Sequence, residues 1–128
     1  DMGVETVITT NVITAAENGK TFFLSLAGGF VSTLPAPQAG LRYHFVVATA
    51  PTTAYTVICA SSGTLIKGHV LTNDVNSATD ADFGTAGELT LSFVANKAVA
   101  GDRATLICDG TNWFVQAACS VFDAITLS

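Results

Sequence analysis

Gly101-Asp102-Arg103-Ala104-Thr105-Leu106-Ile107-Cys108-Asp109-Gly110-Thr111-Asn112-Trp113-Phe114-Val115-Gln116 is the stretch that decides the fold. A polar run, Asp109 to Asn112, separates two segments rich in β-branched, aromatic and small apolar residues. Asp-Gly favours a hairpin, because Gly tolerates positive φ and Asp can bond its own backbone. With Cys108 facing Trp113 across the turn, alternation sets Leu106 opposite Val115 and Ala104 opposite Ala117 on one apolar face. The other face carries Ile107 with Phe114, Thr105 with Gln116, and Arg103 near Ala118. Trp113 is the single tryptophan. Burying it contributes roughly 4–5 kcal/mol at about 25 cal/mol per Å². An indole beside Asp, Asn and Cys could also serve as a ligand platform, but this register aims it at the apolar face. Asp109, Gly110, Asn112 and Trp113 are therefore read as structural anchors.

Outward from the hairpin, the same two-residue period recurs. Leu41, Tyr43, Phe45, Val47 and Thr49 alternate with Arg42, His44, Val46 and Ala48; Tyr55, Val57 and Cys59 repeat the pattern beyond Pro51. Phe22, Leu24 and Leu26 share a face after Asn18-Gly19, a second hairpin signal. Phe30 to Leu34 forms a strand stopped by Pro35 and Pro37. Leu65 to Leu71 is a short apolar piece broken by Gly68, and Leu89, Leu91, Phe93 and Ala95 alternate again. Val121 to Leu127 can add a last strand. No segment shows capped helical periodicity. Short strands at intervals of about 8–12 residues predict an all-β fold, a single antiparallel β-sandwich with the jelly roll as one form of it. No fixed internal repeat appears, which counts against a β-solenoid.

Two segments stand apart. Residues 1–13 form a polar, Thr-rich N-terminal arm or edge strand carrying Val4, Val7, Ile8 and Val12, ahead of a sandwich domain over 14–128. Thr72 to Glu88 is polar, holds Asn73, Asp74, Asp80, Asp82 and Phe83, and contains no Lys or Arg. It is predicted as one long loop, which in a small domain is usually functional. These two segments hold the candidate interface residues, for contacts between subunits or with a larger assembly.

Composition excludes several function classes. Charged residues are 12% of the chain and hydrophobic residues 49%, against a usual ~25% charged. So few charges cover a free surface thinly, and burial against other subunits is expected. The net charge of −5 and the scatter of Lys20, Arg42, Lys67, Lys97 and Arg103 along the chain argue against nucleic acid as a partner. No apolar run approaches the ~18 residues of a membrane span, and the amino end lacks a secretory-signal layout. Three cysteines, Cys59, Cys108 and Cys119, without a Cys-x-x-Cys pair, read as buried thiols.

Chemistry-bearing motifs fail on inspection. Asn18-Gly19-Lys20-Thr21 echoes the end of a P-loop but has Thr14 where the first Gly belongs and precedes a strand. Asp80-Ala81-Asp82-Phe83-Gly84 lacks the distal Glu of a calcium loop. His44 and His69 have no ligand cluster around them. There is no Gly-x-Ser-x-Gly elbow, and no cysteine has an adjacent base. No catalytic residue, metal or cofactor is expected; the chain does not read as an enzyme.

A longer pattern adds to this reading. Thr33-Leu34-Pro35, Ala39-Gly40-Leu41-Arg42-Tyr43-His44-Phe45-Val46-Val47, Ile66-Lys67-Gly68 and Ala104 to Trp113 occur in that order. The series resembles β-rich modules of tailed-bacteriophage virion proteins, both small capsid decoration (cement) proteins and segments of tail fibres. The resemblance implies a structural protein at the capsid surface of the virion, assembled in the host cytoplasm. Its partners would be itself, often as a homotrimer, and the major capsid protein. A tail-fibre or receptor-binding module is the alternative, and a carbohydrate-binding sandwich a weaker third, since Tyr43, Tyr55 and Trp113 fall on predicted core faces.

Overall fold

In the computed structural model the structure describes residues 3–61, 63–72, 82–121 and 123–128. Its strands in chain order are β1 (Val4–Val7), β2 (Asn11–Val12), β3 (Thr21–Leu24), β4 (Phe30–Thr33), β5 (Arg42–Val47) and β6 (Tyr55–Ile58). There follow β7 (Ile66–Thr72), β8 (Asp82–Glu88), β9 (Thr90–Phe93), β10 (Arg103–Cys108), β11 (Trp113–Cys119) and β12 (Ile125–Leu127). They make a seven-stranded sheet in the order β1-β3-β5-β10-β11-β7-β8 and a five-stranded sheet in the order β12-β9-β6-β4-β2.

The decisive hairpin forms in the predicted register: Cys108 faces Trp113, Leu106 faces Val115, and Ala104 faces Ala117. Its four-residue turn is held by Asp109 Oδ1, which accepts the N–H groups of Thr111 and Asn112, both at 2.9 Å. Gly110 supplies the positive φ of 106° that this turn needs. β10 pairs antiparallel with β5, so Tyr43 and Phe45 continue the rows of Leu106 and Ala104 across the inner face. Trp113 and Tyr43 are wholly buried. Their ring centroids lie 5.8 Å apart, and Phe22 stacks on Phe45 at 5.4 Å. From the five-stranded sheet Phe30, Tyr55, Val57, Leu91, Phe93 and Ile125 close the same core.

The all-β sandwich is there, but its sheets are mixed rather than antiparallel. β1, β3 and β5 run parallel to one another in one sheet, and β2, β4 and β6 do so in the other. The chain thus alternates between sheets for its first six strands, winding as three coils of a β-solenoid. These solenoid-like coils, lying within the sandwich, were not visible as a repeat because they differ in length. Val4 pairs with Thr21 and Thr21 with His44 in one sheet, while Asn11 pairs with Ser32 and Phe30 with Tyr55 in the other. Turns of roughly 17 to 25 residues leave no fixed period to detect. The same parallel pairs set the fold apart from an antiparallel jelly roll. Two buried tyrosines tie the coils together: Tyr43 Oη donates to the Thr14 carbonyl at 2.8 Å. Tyr55 Oη donates to the Thr49 carbonyl and accepts the Leu26 N–H, each at 2.8 Å.

Asn18-Gly19 is a turn but not a hairpin. Ala15–Glu17 forms a single 3-10 turn, and Glu17 Oε1 accepts the Thr14 N–H at 3.0 Å. Gly19 then donates to the Arg42 carbonyl at 2.7 Å, and Asn18 Oδ1 accepts the Arg42 N–H at 2.7 Å. These bonds spend the turn on β5, so the chain enters β3 as a parallel strand instead of folding back on itself.

Gly68 does not break β7. Its φ of 141° and a Cβ position only 2.1 Å from the Val115 carbonyl oxygen show why no side chain fits there. The predicted long loop over Thr72 to Glu88 is also corrected, since its second part is strand β8, paired antiparallel with β7 through a register shift between Ile66 and Gly68. Gly84, Thr85, Ala86 and Gly87 carry almost no hydrophobic signal, and β8 forms by pairing with β7.

Candidate functional site

Two surfaces are left uncovered by the described strands. The first is the terminal coil. β1 is the edge of the seven-stranded sheet and β2 the edge of the other, so residues 4–12 border both sheets. The predicted arm is therefore built in as paired edge strands, not an extension. Val4, Ile8 and Val12 are 65%, 63% and 71% exposed, the highest values among the described large apolar side chains. Val7 is corrected: it is buried, because Val7 pairs with Leu24 and shares its inward face. In parallel pairing alternate residues bond to one neighbour. Gly3 and Val7 offer their carbonyls to Thr21 and Ser25, which turns the polar groups of Val4 and Thr6 to the open side. Lys20 clamps this edge, pairing with Glu5 at 3.1 Å and Glu17 at 3.0 Å.

The second surface is the outer face of the seven-stranded sheet. Register places Arg42, Ile107, Phe114 and Lys67 in one row across β5, β10, β11 and β7. A second row holds Thr21, His44, Thr105, Gln116 and His69, and a third holds Phe23, Val46, Arg103, Ala118 and Leu71. His44 Nδ1 and Thr105 Oγ1 are 3.0 Å apart. Phe114 is 45% and Leu71 58% exposed. A shallow concavity of about 450 Å³ opens beside Phe23, His44, Val46 and Arg103, and one of about 190 Å³ beside Leu71, Gln116 and Ala118. The sequence made the five cations look scattered; three of them, Arg42, Lys67 and Arg103, share this face. Parity along each strand together with the strand order would have found them, but strand order is not written in one sequence. No Asp or Glu among the described residues takes an outward register position here. Glu5 and Glu88 pair with the inward-facing Phe22 and Ile66, and Asp109, in the turn beside this face, is drawn on by Lys67.

The remaining predicted residues are placed as follows. Asn73, Asp74 and Asp80 lie outside the described residues. Asp82 and Phe83 open β8, in register with Val70 and His69. Asp109, Gly110, Asn112 and Trp113 occupy the hairpin, and Asn112 Oδ1 also accepts the Leu65 N–H at 3.0 Å, joining the turn to β7. The two Asp109 amide contacts hold its carboxyl below the usual carboxylate range, with Lys67 adding a smaller pull. Asp102, which the sequence reading passed over, is buried. Its carboxylate accepts the Val99 N–H at 3.0 Å and the Ser120 N–H at 3.1 Å, a role in joining loops.

Among the described residues no three His, Cys, Asp or Glu side chains gather as a metal site. The three cysteines are buried and unbridged. Burial pushes the Cys59 thiol up to about 11 and raises that of Cys119. Burial likewise pushes the Tyr43 phenol up to about 12. These groups are held in their neutral forms at pH 7. No helix is long and apolar enough to cross a membrane among the described residues. No family model, curated protein or solved structure matches the chain.

Proposed function

We propose that this chain is a structural virion protein that binds the outer surface of a phage capsid as an oligomer and stabilises the shell. The observation that carries the reading is the terminal coil, where Val4, Ile8 and Val12 stand exposed beside two open strand edges. Exposed strand edges pair readily with another chain, and a low-charge subunit gains stability when neighbours cover such a surface. A protein that binds only the assembled shell then stabilises it by mass action, without any reaction.

The test has two parts. Quantitative mass spectrometry of purified particles should find peptides of this chain in high abundance. Replacing Val4, Ile8 and Val12 by Asp together should leave the fold intact while lowering the sedimentation coefficient and particle occupancy. Point changes are preferred to truncation because Val7 belongs to the core. Unchanged sedimentation and occupancy would refute the role of the coil.

Three parallel coils with an open end favour one alternative, a tail-fibre module whose coil continues into a neighbouring segment. Copy number separates the two: hundreds per particle for a decoration protein, a few to tens for a fibre.

A further inference from the structure

We propose that the outer face of the seven-stranded sheet is a docking surface for an acidic and apolar protein surface. Under the capsid reading, on which the identity of the occupant rests, that surface belongs to the shell.

The argument starts from charge. The chain holds five basic and ten acidic side chains. Arg42, Lys67 and Arg103 stand on this one face with no described carboxylate in an outward position between them. Elsewhere the described side chains carry two cations, Lys20 and Lys97, against the carboxylates of Glu5, Glu17, Glu88, Asp102, Asp109 and Asp123. One row runs cation, apolar, apolar, cation: Arg42, Ile107, Phe114, Lys67. Strand spacing of ~4.8 Å puts the row's ends about 14 Å apart, and Arg103, four residues along the adjacent strand, is also about 14 Å from Arg42, backbone to backbone. Ile107 and Phe114, 38% and 45% exposed, fill the space between the charges.

This pattern selects a partner class. Cations anchored on backbone positions about 14–16 Å apart can each engage a separate carboxylate, and the two guanidiniums can take one bidentately. A duplex would present phosphates far more closely spaced and would leave Ile107 and Phe114 without apolar contact. A second copy meeting this face with its own face would set cation against cation. Across six strand gaps the sheet is about 29 Å wide and roughly 20 Å long, about 580 Å² in plan. That is near the ~800 Å² per partner of a standard interface once side-chain relief is counted.

Two measurements test it. The first uses the protein alone. At pH 7.5 and about 50 mM NaCl, where the Debye length is still roughly 14 Å, the wild-type chain should be retained on a carboxymethyl resin despite its net charge of −5. Lys67→Glu or Arg103→Glu should abolish retention. Lys97→Glu, which changes net charge equally in the β9–β10 connection, should leave it. Flow-through of the wild type, or equal loss in all three variants, overturns the proposal. Elution from a duplex-DNA resin at higher salt than from the carboxymethyl resin overturns it in favour of nucleic acid.

The second measurement uses purified undecorated shells and reads acetylation of Lys67 and Lys97 in bound and free protein. Lys67 labelling should fall at least fivefold on binding while Lys97 is unchanged. The reverse pattern refutes this face and leaves the capsid reading intact. If the shells bind nothing while Lys67-dependent retention on the resin persists, the capsid reading fails and the face survives it.

Discussion

Replacing Gly68 by Ala tests the central join of the molecule, where β7 lies parallel against β11. An added Cβ would sit 2.1 Å from the Val115 carbonyl oxygen and 2.9 Å from Val115 Cγ1. The obstacle is a backbone atom held in the sheet, so it cannot swing aside. A φ of 141° is also a conformation that side-chain-bearing residues avoid. Such backbone strain costs about 1–3 kcal/mol, and forcing a methyl into a packed site costs another ~1–3 kcal/mol. The expected loss is therefore about 2–6 kcal/mol. Against a total of roughly 6–19 kcal/mol for a chain of this size, that is severe. Urea unfolding followed by the fluorescence of Trp113, fully buried and unique, gives the assay. Gly28→Ala is the control: nothing lies within 4 Å of its added Cβ. It should stay within ~0.5 kcal/mol of wild type. A Gly68→Ala protein as stable as the Gly28→Ala control, with an unchanged slope against urea, would refute the close approach of β7 to β11.

Other outcomes follow from the same structure. Trp113→Ala should cost about 3–5 kcal/mol by emptying the centre of the core; an unchanged urea midpoint with weakened particle binding would make Trp113 part of a binding surface instead. The carboxyl of Asp109 is lowered when folded, so its contribution is fully present above its unfolded value near pH 4 and lost as pH falls through the lowered one. Asp109→Asn should accordingly differ from wild type more at pH 7 than at pH 2.5 in urea midpoint, and a constant difference would disprove the linkage. With the Cys59 thiol at about 11 and that of Cys119 raised, a disulfide reagent at pH 8 should label neither in the native protein and both in urea.

The parts of this fold that local alternation controls could be read directly. The pairing of Cys108 with Trp113 and the inward set Tyr43, Phe45 and Val47 follow from period-two patterning and one turn. What could not be read was which strands become neighbours. Asn18-Gly19 has the chemistry of a hairpin, yet its side chain and amide bond Arg42, a residue remote in sequence. The parallel coils were hidden by unequal connections, and β8 by its small residues. For the surfaces, Val4, Ile8 and Val12 were visible as apolar residues in a polar segment, while Val7 was misassigned because its parity depends on β3. The grouping of Arg42, Lys67 and Arg103 was invisible for the same reason: each lies on a different strand, and only the order β5-β10-β11-β7 brings them together.

The uneven construction of the molecule also limits how it can assemble. One end finishes in a parallel coil whose two edges, β1 and β2, both lie open. At the other end β8 and β12 run antiparallel to their neighbours and lean on each other. A second molecule added head to tail would meet antiparallel edge strands there in place of a further parallel coil, unlike the repeat-on-repeat stacking of a regular solenoid. Pairing of one open coil with another would be isologous and would close on itself, a self-limiting form of assembly.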